Sequence, residues 1–227
     1  MDIELYYEEK GSGEPFIFLH GNGEDSSYFK YQTDYFKSKY RVIALDTRGH
    51  GKSPRGDAPF TIEQFSHDLY DFMKMHYILN AVILGFSDGA NIAMKFAMKH
   101  SDMIKALILN GGNLNPKGVK RATQIPIEIG YKIARKFAAK SAEAKRNAEM
   151  LGLMVNEPNI KLCELSLINV PTLVICGTND MIKESHTRSI AQNLPNAKLA
   201  IISGNHFIAN KRPKEFNKAV DSFLENI

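Results

Sequence analysis

Six stretches of this chain are almost unbroken in apolar residues. They are FIFLHG (Phe16–Gly21), RVIALD (Arg41–Asp46), AVILGFS (Ala81–Ser87), IKALILNG (Ile104–Gly111), PTLVICGTND (Pro171–Asp180) and AKLAIISGNH (Ala197–His206). Short, continuous apolar runs that end in Gly, Asn or Asp are the pattern of strands buried on both faces, as in a parallel sheet covered by helices. A seventh, more mixed stretch, ELYYEE (Glu4–Glu9), predicts an edge strand. Between the runs, apolar residues recur at helical spacing over about Ser26–Lys39, Thr61–His76, Asp88–His100, Glu184–Asn193 and Pro213–Glu225.

This alternation predicts an α/β fold: a doubly wound, mostly parallel sheet with helices on both faces. One region departs from it. From about Asn113 to Ile168 no strand pattern occurs, and Ile129, Ile133 and Phe137 repeat at helical spacing among Lys132, Arg135, Lys136 and Lys140. We read residues 113–168 as a short helical cap inserted into a core made of residues 1–112 and 169–227.

Composition narrows the function classes. The 227 residues are 44% hydrophobic and 24% charged, ordinary for a globular protein. No apolar run approaches the roughly 18 residues of a membrane span, so no span is expected. The first residues, MDIELYYEEKGSGEP, carry acids at once and lack an apolar signal region. Cys163 and Cys176 are not spaced as metal ligands and read as reduced thiols, which suits a cytoplasmic protein. The net charge of +4 is too small to imply a nucleic-acid partner. We expect no metal and no cofactor.

The chemistry concentrates where Ala81–Ser87 gives way to a helix pattern, in GFSDG (Gly85–Gly89). A serine hydroxyl is a poor nucleophile unless it is aimed at a substrate and held against a base. A sharp strand-to-helix turn aims it, with small residues at Gly85 and Gly89 because strand and helix meet closely there. Such a serine predicts an acid and then a histidine later in the chain, each at a strand end. The strand after the serine ends in Asn110-Gly111-Gly112 and offers no acid; the next two end in GTND and GNH, giving Asp180 and His206. In this reading His206 takes the Ser87 proton and Asp180 orients the imidazole. An oxyanion needs donors, for which we choose the backbone N–H groups of Asp88 and of Asn22 in HGNG, with Gly23 second.

Together these motifs resemble the α/β-hydrolase family. FLHGNG is similar to that family's oxyanion loop, DTRGHGKS (Asp46–Ser53) to its D-x-R-G-x-G-x-S loop, GFSDG to its nucleophile elbow, and GTND and GNH to its acid and base loops. The resemblance covers nearly the whole chain except the insertion, which matches the family's variable cap. It implies the serine branch of the family, and implies that Asp46 and Arg48 shape the loop beneath the site.

The expected function is therefore a cofactor-independent serine hydrolase acting through an acyl-enzyme on a small carboxylic ester, thioester or amide. A hydrolase or lyase of carbon–carbon bonds on the same scaffold is the enzymatic alternative, and a ligand-binding or sensor protein the non-enzymatic one. Asp88 and Gly23 are also candidates to contact substrate, Asp88 by pairing with a substrate amine. Nine basic residues against three acidic ones lie between Asn113 and Met150. They form either a solvated face or an attraction for an acidic substrate or anionic surface.

Overall fold

The computed structural model describes residues 2–227. Seven strands form one sheet: β1 (Tyr7–Lys10), β2 (Pro15–Leu19), β3 (Arg41–Leu45), β4 (Ala81–Phe86), β5 (Ile104–Asn110), β6 (Thr172–Asn179) and β7 (Ala197–Asn205). Their order is β1-β3-β2-β4-β5-β6-β7. β1 runs antiparallel to β3, and every other pairing is parallel.

The apolar runs are continuous because each strand serves two cores. Along β2, Ile17 and Leu19 join one core, with Phe65, Leu69 and Phe72 of α2 (Ile62–Met75) and Ile92, Met94 and Phe96 of α3 (Asp88–Lys99). Phe16 and Phe18 point to the opposite face and join Phe36 of α1 (Lys30–Phe36). Phe216, Val220 and Phe223, near the C-terminus, complete that second core. Successive side chains of a strand point to opposite faces, so a strand with no polar face is covered on both sides. A fully buried Phe or Leu contributes roughly 1.5–3 kcal/mol relative to exposure.

Two elements begin three or more residues later than the sequence expectation. The edge strand begins at Tyr7, not Glu4, because the loop after β3 takes up the residues before it: the Tyr6 N–H donates to Ser53 Oγ at 2.8 Å, and the Asp46 N–H to the Tyr6 carbonyl at 2.9 Å. The helix expected from Ser26 opens as a 3-10 turn over Ser26–Phe29, with Asp25 accepting from the Ser27 N–H. Ser26 N–H is itself held by Asp46 Oδ1 at 2.7 Å, so the chain is pinned there before α1 begins.

Between β5 and β6 lie α4 (Arg121–Phe137) and α5 (Ala142–Asn156), which pack on each other. After β6 come α6 (Glu184–Asn193), β7, the short α7 (Ile208–Lys211) and α8 (Pro213–Leu224). Cys163 is exposed, Cys176 is buried, and both are free thiols. Among the described residues, no helix is long and apolar enough to cross a membrane.

Parallel register gathers the loops. Leu19 pairs with Gly85, Phe86 with Asn110, and Asn179 with Asn205. The residues that follow these strand ends, HGNG, Ser87, Gly111, Asp180 and His206, therefore share one edge of the sheet. The carboxyl ends of the strands are where open α/β sheets bind ligands.

Candidate active site

Ser87 sits between β4 and α3 with φ 53° and ψ −116°, a backbone conformation rare for a residue with a side chain. The turn is held from both sides. Ser87 N–H donates to the Asn110 carbonyl at 2.8 Å, and the Ser87 carbonyl accepts from the Ala90 N–H at 3.0 Å. Neither flanking glycine tolerates a side chain: a Cβ on Gly85 would strike the Gly89 carbonyl, and one on Gly89 would strike the Leu19 carbonyl.

Asp180 and His206 meet as buried neighbours. His206 Nδ1 lies 2.7 Å from Asp180 Oδ1. A carboxylate can only accept, so Nδ1 carries the hydrogen. Asp180 Oδ1 also accepts from the Ile182 N–H at 2.9 Å, which fixes the acid in its loop. The other ring nitrogen, His206 Nε2, is buried with no hydrogen-bond partner. The ring packs against Phe86 at 4.8 Å between centroids and against Phe207 at 5.6 Å. Gly111 closes the space behind it: a Cβ there would lie 2.7 Å from His206 Cε1 and 2.9 Å from Nδ1.

Ser87 and His206 line one cavity of about 120 Å³, together with Gly21, Asn22, Glu24, Phe86, Met154, Met181 and Phe207. The HGNG loop forms one wall and α5 contributes Met154. Asn22 locks these parts together. Its Nδ2 donates to Asp88 Oδ2 at 3.0 Å and to the Met150 carbonyl of α5 at 2.8 Å. The backbone of Asp88 opens α3, where N–H groups lack intrahelical acceptors and the helix dipole favours negative charge.

Two expected substrate contacts, Asp88 and Gly23, lie beside the cavity and outside its wall. Asp88 accepts from Asn22 on one oxygen and from Asn91 Nδ2 on the other at 3.2 Å, and it is not part of the cavity wall. Burial raises its carboxyl above the usual carboxylate range, and the two amides counter that. Its side chain thus ties the HGNG loop to α3. Gly23 has φ 75° and is exposed outside the cavity wall; its task is the turn.

The loop after β3 is braced as the resemblance implied. Buried Arg48 donates through Nε and Nη2 to both oxygens of Asp68, each at 2.7 Å, and through Nη2 to Asp2 Oδ1 at 2.6 Å. Asp46 accepts from the Ser26 and Lys52 N–H groups at 2.7 and 2.8 Å. Among the described residues, no group of three or more His, Cys, Asp and Glu side chains is arranged to hold a metal.

Comparison with known proteins agrees with this architecture. The α/β-hydrolase fold family profile matches residues 14–151, more than half of the sequence. The chain belongs to the α/β-hydrolase family. Two similar α/β-hydrolases are 3-oxoadipate enol-lactonase 2 of Acinetobacter baylyi, 25% identical over 256 residues that cover 99% of this chain and 94% of that one, and 2-hydroxy-6-oxo-6-(2'-aminophenyl)hexa-2,4-dienoic acid hydrolase of Metapseudomonas resinovorans, 26% identical over 259 residues that cover 98% and 88%. Among solved structures, the enol-lactonase from Burkholderia xenovorans LB400 has a TM-score of 0.83 at 22% identity, covering 98% of this chain and 97% of that one, a likeness of fold.

In this α/β-hydrolase the sequence reading missed two residues near Ser87. Among the described residues Glu24 is the only carboxyl in the cavity wall; burial pushes it up to about 7, against one hydrogen bond from the Gly21 N–H at 3.3 Å. His20, the first residue of HGNG, is buried beneath the rest of the loop. Its Nδ1 lies 2.8 Å from the Gly21 carbonyl, and its Nε2 accepts from the Thr47 N–H at 3.0 Å. Burial, and then the neighbouring His50, lower it to about 4, so it is neutral and holds the loop from below. The signal for both was their place in or next to HGNG, which does not say which way a side chain turns.

Proposed function

We propose that this α/β-hydrolase is a cytoplasmic, cofactor-independent serine hydrolase of small carboxylic esters, lactones included. One observation carries the reading: Ser87, on a left-handed elbow, shares a cavity with His206, whose far nitrogen is bound by Asp180. In this mechanism Ser87 Oγ attacks the carbonyl carbon and passes its proton to His206 Nε2. The carbonyl oxygen gains the negative charge and is held by the N–H groups of Asn22 and Asp88. The carbon–oxygen bond then breaks, and His206 returns the proton to the departing alcohol. Water, deprotonated by His206, hydrolyses the acyl-enzyme and restores Ser87. Asp180 keeps the imidazole oriented and stabilises its charged form.

The size of the cavity selects the acyl group. About 120 Å³ is well below the roughly 300–1,000 Å³ of sites for drug-sized ligands. Short acyl chains and small rings fit within it; long chains extend past its walls, which include Met154 and Met181. The similarity to an enol-lactonase over nearly the whole chain favours a cyclic ester among them. The test is kcat/KM across p-nitrophenyl esters of increasing acyl length and small lactones, beside a Ser87→Ala control. Activity should peak at the shortest acyl groups and fall by tenfold or more at long ones. Hydrolysis no faster than the control would sink the proposal.

A second reading rests on the other similar protein, whose name is that of a dienoic acid hydrolase. On this reading the scaffold breaks a carbon–carbon bond beside a ketone. A 2-hydroxy-6-oxo-dienoic acid cleaved a hundredfold faster than any ester would favour it.

A further inference from the structure

The outer face of the cap presents an apolar stripe that nothing in the fold covers. Ile125, Ile129, Ile133 and Phe137 of α4 are 43%, 54%, 57% and 46% exposed. Each follows the last by four residues, so they line up along about 18 Å of helix. The face is bordered by cations. Lys132 and Lys136 stand three residues after Ile129 and Ile133, Arg121 stands four before Ile125, and all three are exposed. At the start of α4 the stripe runs into an open groove of about 500 Å³ where Lys117, Arg121 and Lys183 surround Ile125, with Glu128 the one acid. At the other end Ile133 and Phe137 meet Leu151 and Lys140 in a second, mainly apolar groove of about 560 Å³.

The positive charge is uncompensated. Among the described residues, no ion pair involves any of the nine basic residues between Asn113 and Met150. Of the three acids there, Glu149 is held by Arg55 at 2.8 Å, which leaves Glu128 and Glu143. The reaction cavity uses none of this surface: α4 reaches it only through α5, which carries Met150 and Met154.

We infer that α4 is an interfacial helix that docks the cap on an anionic phospholipid bilayer. Its isoleucines and Phe137 enter the boundary between headgroups and acyl chains, and Arg121, Lys132 and Lys136 meet the phosphates. A helix with a large apolar face edged by Lys and Arg lies in the plane of such an interface. The sign of the charge decides among occupants. A second copy packed face to face would set Lys132 and Lys136 of one chain near those of the other. Nucleic acid would leave four large apolar side chains against a polar backbone. An anionic bilayer satisfies both the charge and the apolar stripe, and the cytoplasmic leaflet supplies that charge.

The experiment is vesicle flotation with phosphatidylcholine alone and with phosphatidylcholine plus phosphatidylglycerol. The native chain should float with the anionic vesicles at least tenfold more strongly than with the neutral ones. Raising the salt from about 0.05 to about 0.5 M should weaken that several-fold, since the screening length falls from about 14 to about 4 Å. Two variants probe separate parts of the face: Ile129→Asp with Ile133→Asp, and Lys132→Glu with Lys136→Glu. Each should lose binding tenfold or more with an unchanged circular-dichroism spectrum. Equal binding of neutral and anionic vesicles, no flotation at low salt, or native binding by the lysine variant would overturn the inference. So would a native dimer that does not float and that the isoleucine variant converts to monomer.

Discussion

His206 Nδ1 lies 2.7 Å from Asp180 Oδ1, although the two residues are 26 positions apart in the chain. The contact exists because β6 and β7 run parallel and pair Asn179 with Asn205, so the residue after each strand falls beside the other. Replacing Asp180 by Asn puts a donor where Nδ1 needs an acceptor and selects the wrong tautomer. For Asp180→Asn we predict a fall in kcat of about 10³–10⁴-fold with KM changed little, measured by ester turnover. A loss below tenfold would remove Asp180 from the mechanism.

Gly111 sets the position of that pair from behind. Its φ is 64°, and an added Cβ would lie 2.7 Å from the His206 ring. Gly111→Ala should destabilise the fold by about 1–3 kcal/mol through backbone strain. It should lower kcat by tenfold or more at temperatures where the variant is fully folded. Thermal unfolding and turnover, taken together, separate the two effects.

Asn22 bridges α3 and the cap through one amide nitrogen. Asn22→Ala keeps the backbone N–H but frees the loop that carries it. We expect kcat/KM to fall roughly tenfold to a hundredfold, short of deleting an oxyanion donor outright. Asp88→Asn should act through the same link. Because both oxygens of Asp88 are occupied by amides, its loss should be equal for an α-amino ester and the uncharged analogue. A selective loss for the amino ester would restore Asp88 to substrate binding.

Glu24 gives the site a pH dependence of its own. Burial raises its carboxyl from the ordinary 4.5 to about 7. A raised folded-state value means that the folded protein holds this proton more tightly than the unfolded chain. Its contribution to stability is therefore full below about pH 4.5 and is lost as pH rises towards 7. Allowing for partial solvent screening, that loss is about 1–2 kcal/mol, and Glu24→Gln should abolish it in denaturant unfolding across this range. Ionised Glu24 also places negative charge in the cavity beside Ser87. An ester bearing a carboxylate should lose kcat/KM as pH passes 7, and the Gln variant should not show that loss.

Much of the fold could be read from the sequence because a strand buried on both faces cannot hide its composition. Phe16 to Leu19 face two cores in alternation, so all four must be apolar. The candidate nucleophile, acid and base were legible for a related reason: each follows a strand end, and strand ends were visible. What could not be read was the direction of side chains in loops. Asp88 precedes a helix whether it faces substrate or, as here, Asn22 and Asn91. His20 opens HGNG and Glu24 follows it, yet only the folded loop turns Glu24 into the cavity and His20 beneath it. The spacing of Ile129, Ile133 and Phe137 predicted a helix, but periodicity does not say whether an apolar face is covered.

The central claim is that Ser87 is the nucleophile that His206 activates. A fluorophosphonate should add one phosphonyl group, and peptide mass spectrometry should place it on Ser87. His206→Ala should slow that labelling by at least a hundredfold, and Ser87→Ala should abolish it. Labelling that persists in Ser87→Ala, or an unlabelled native protein with full ester turnover, would contradict the account.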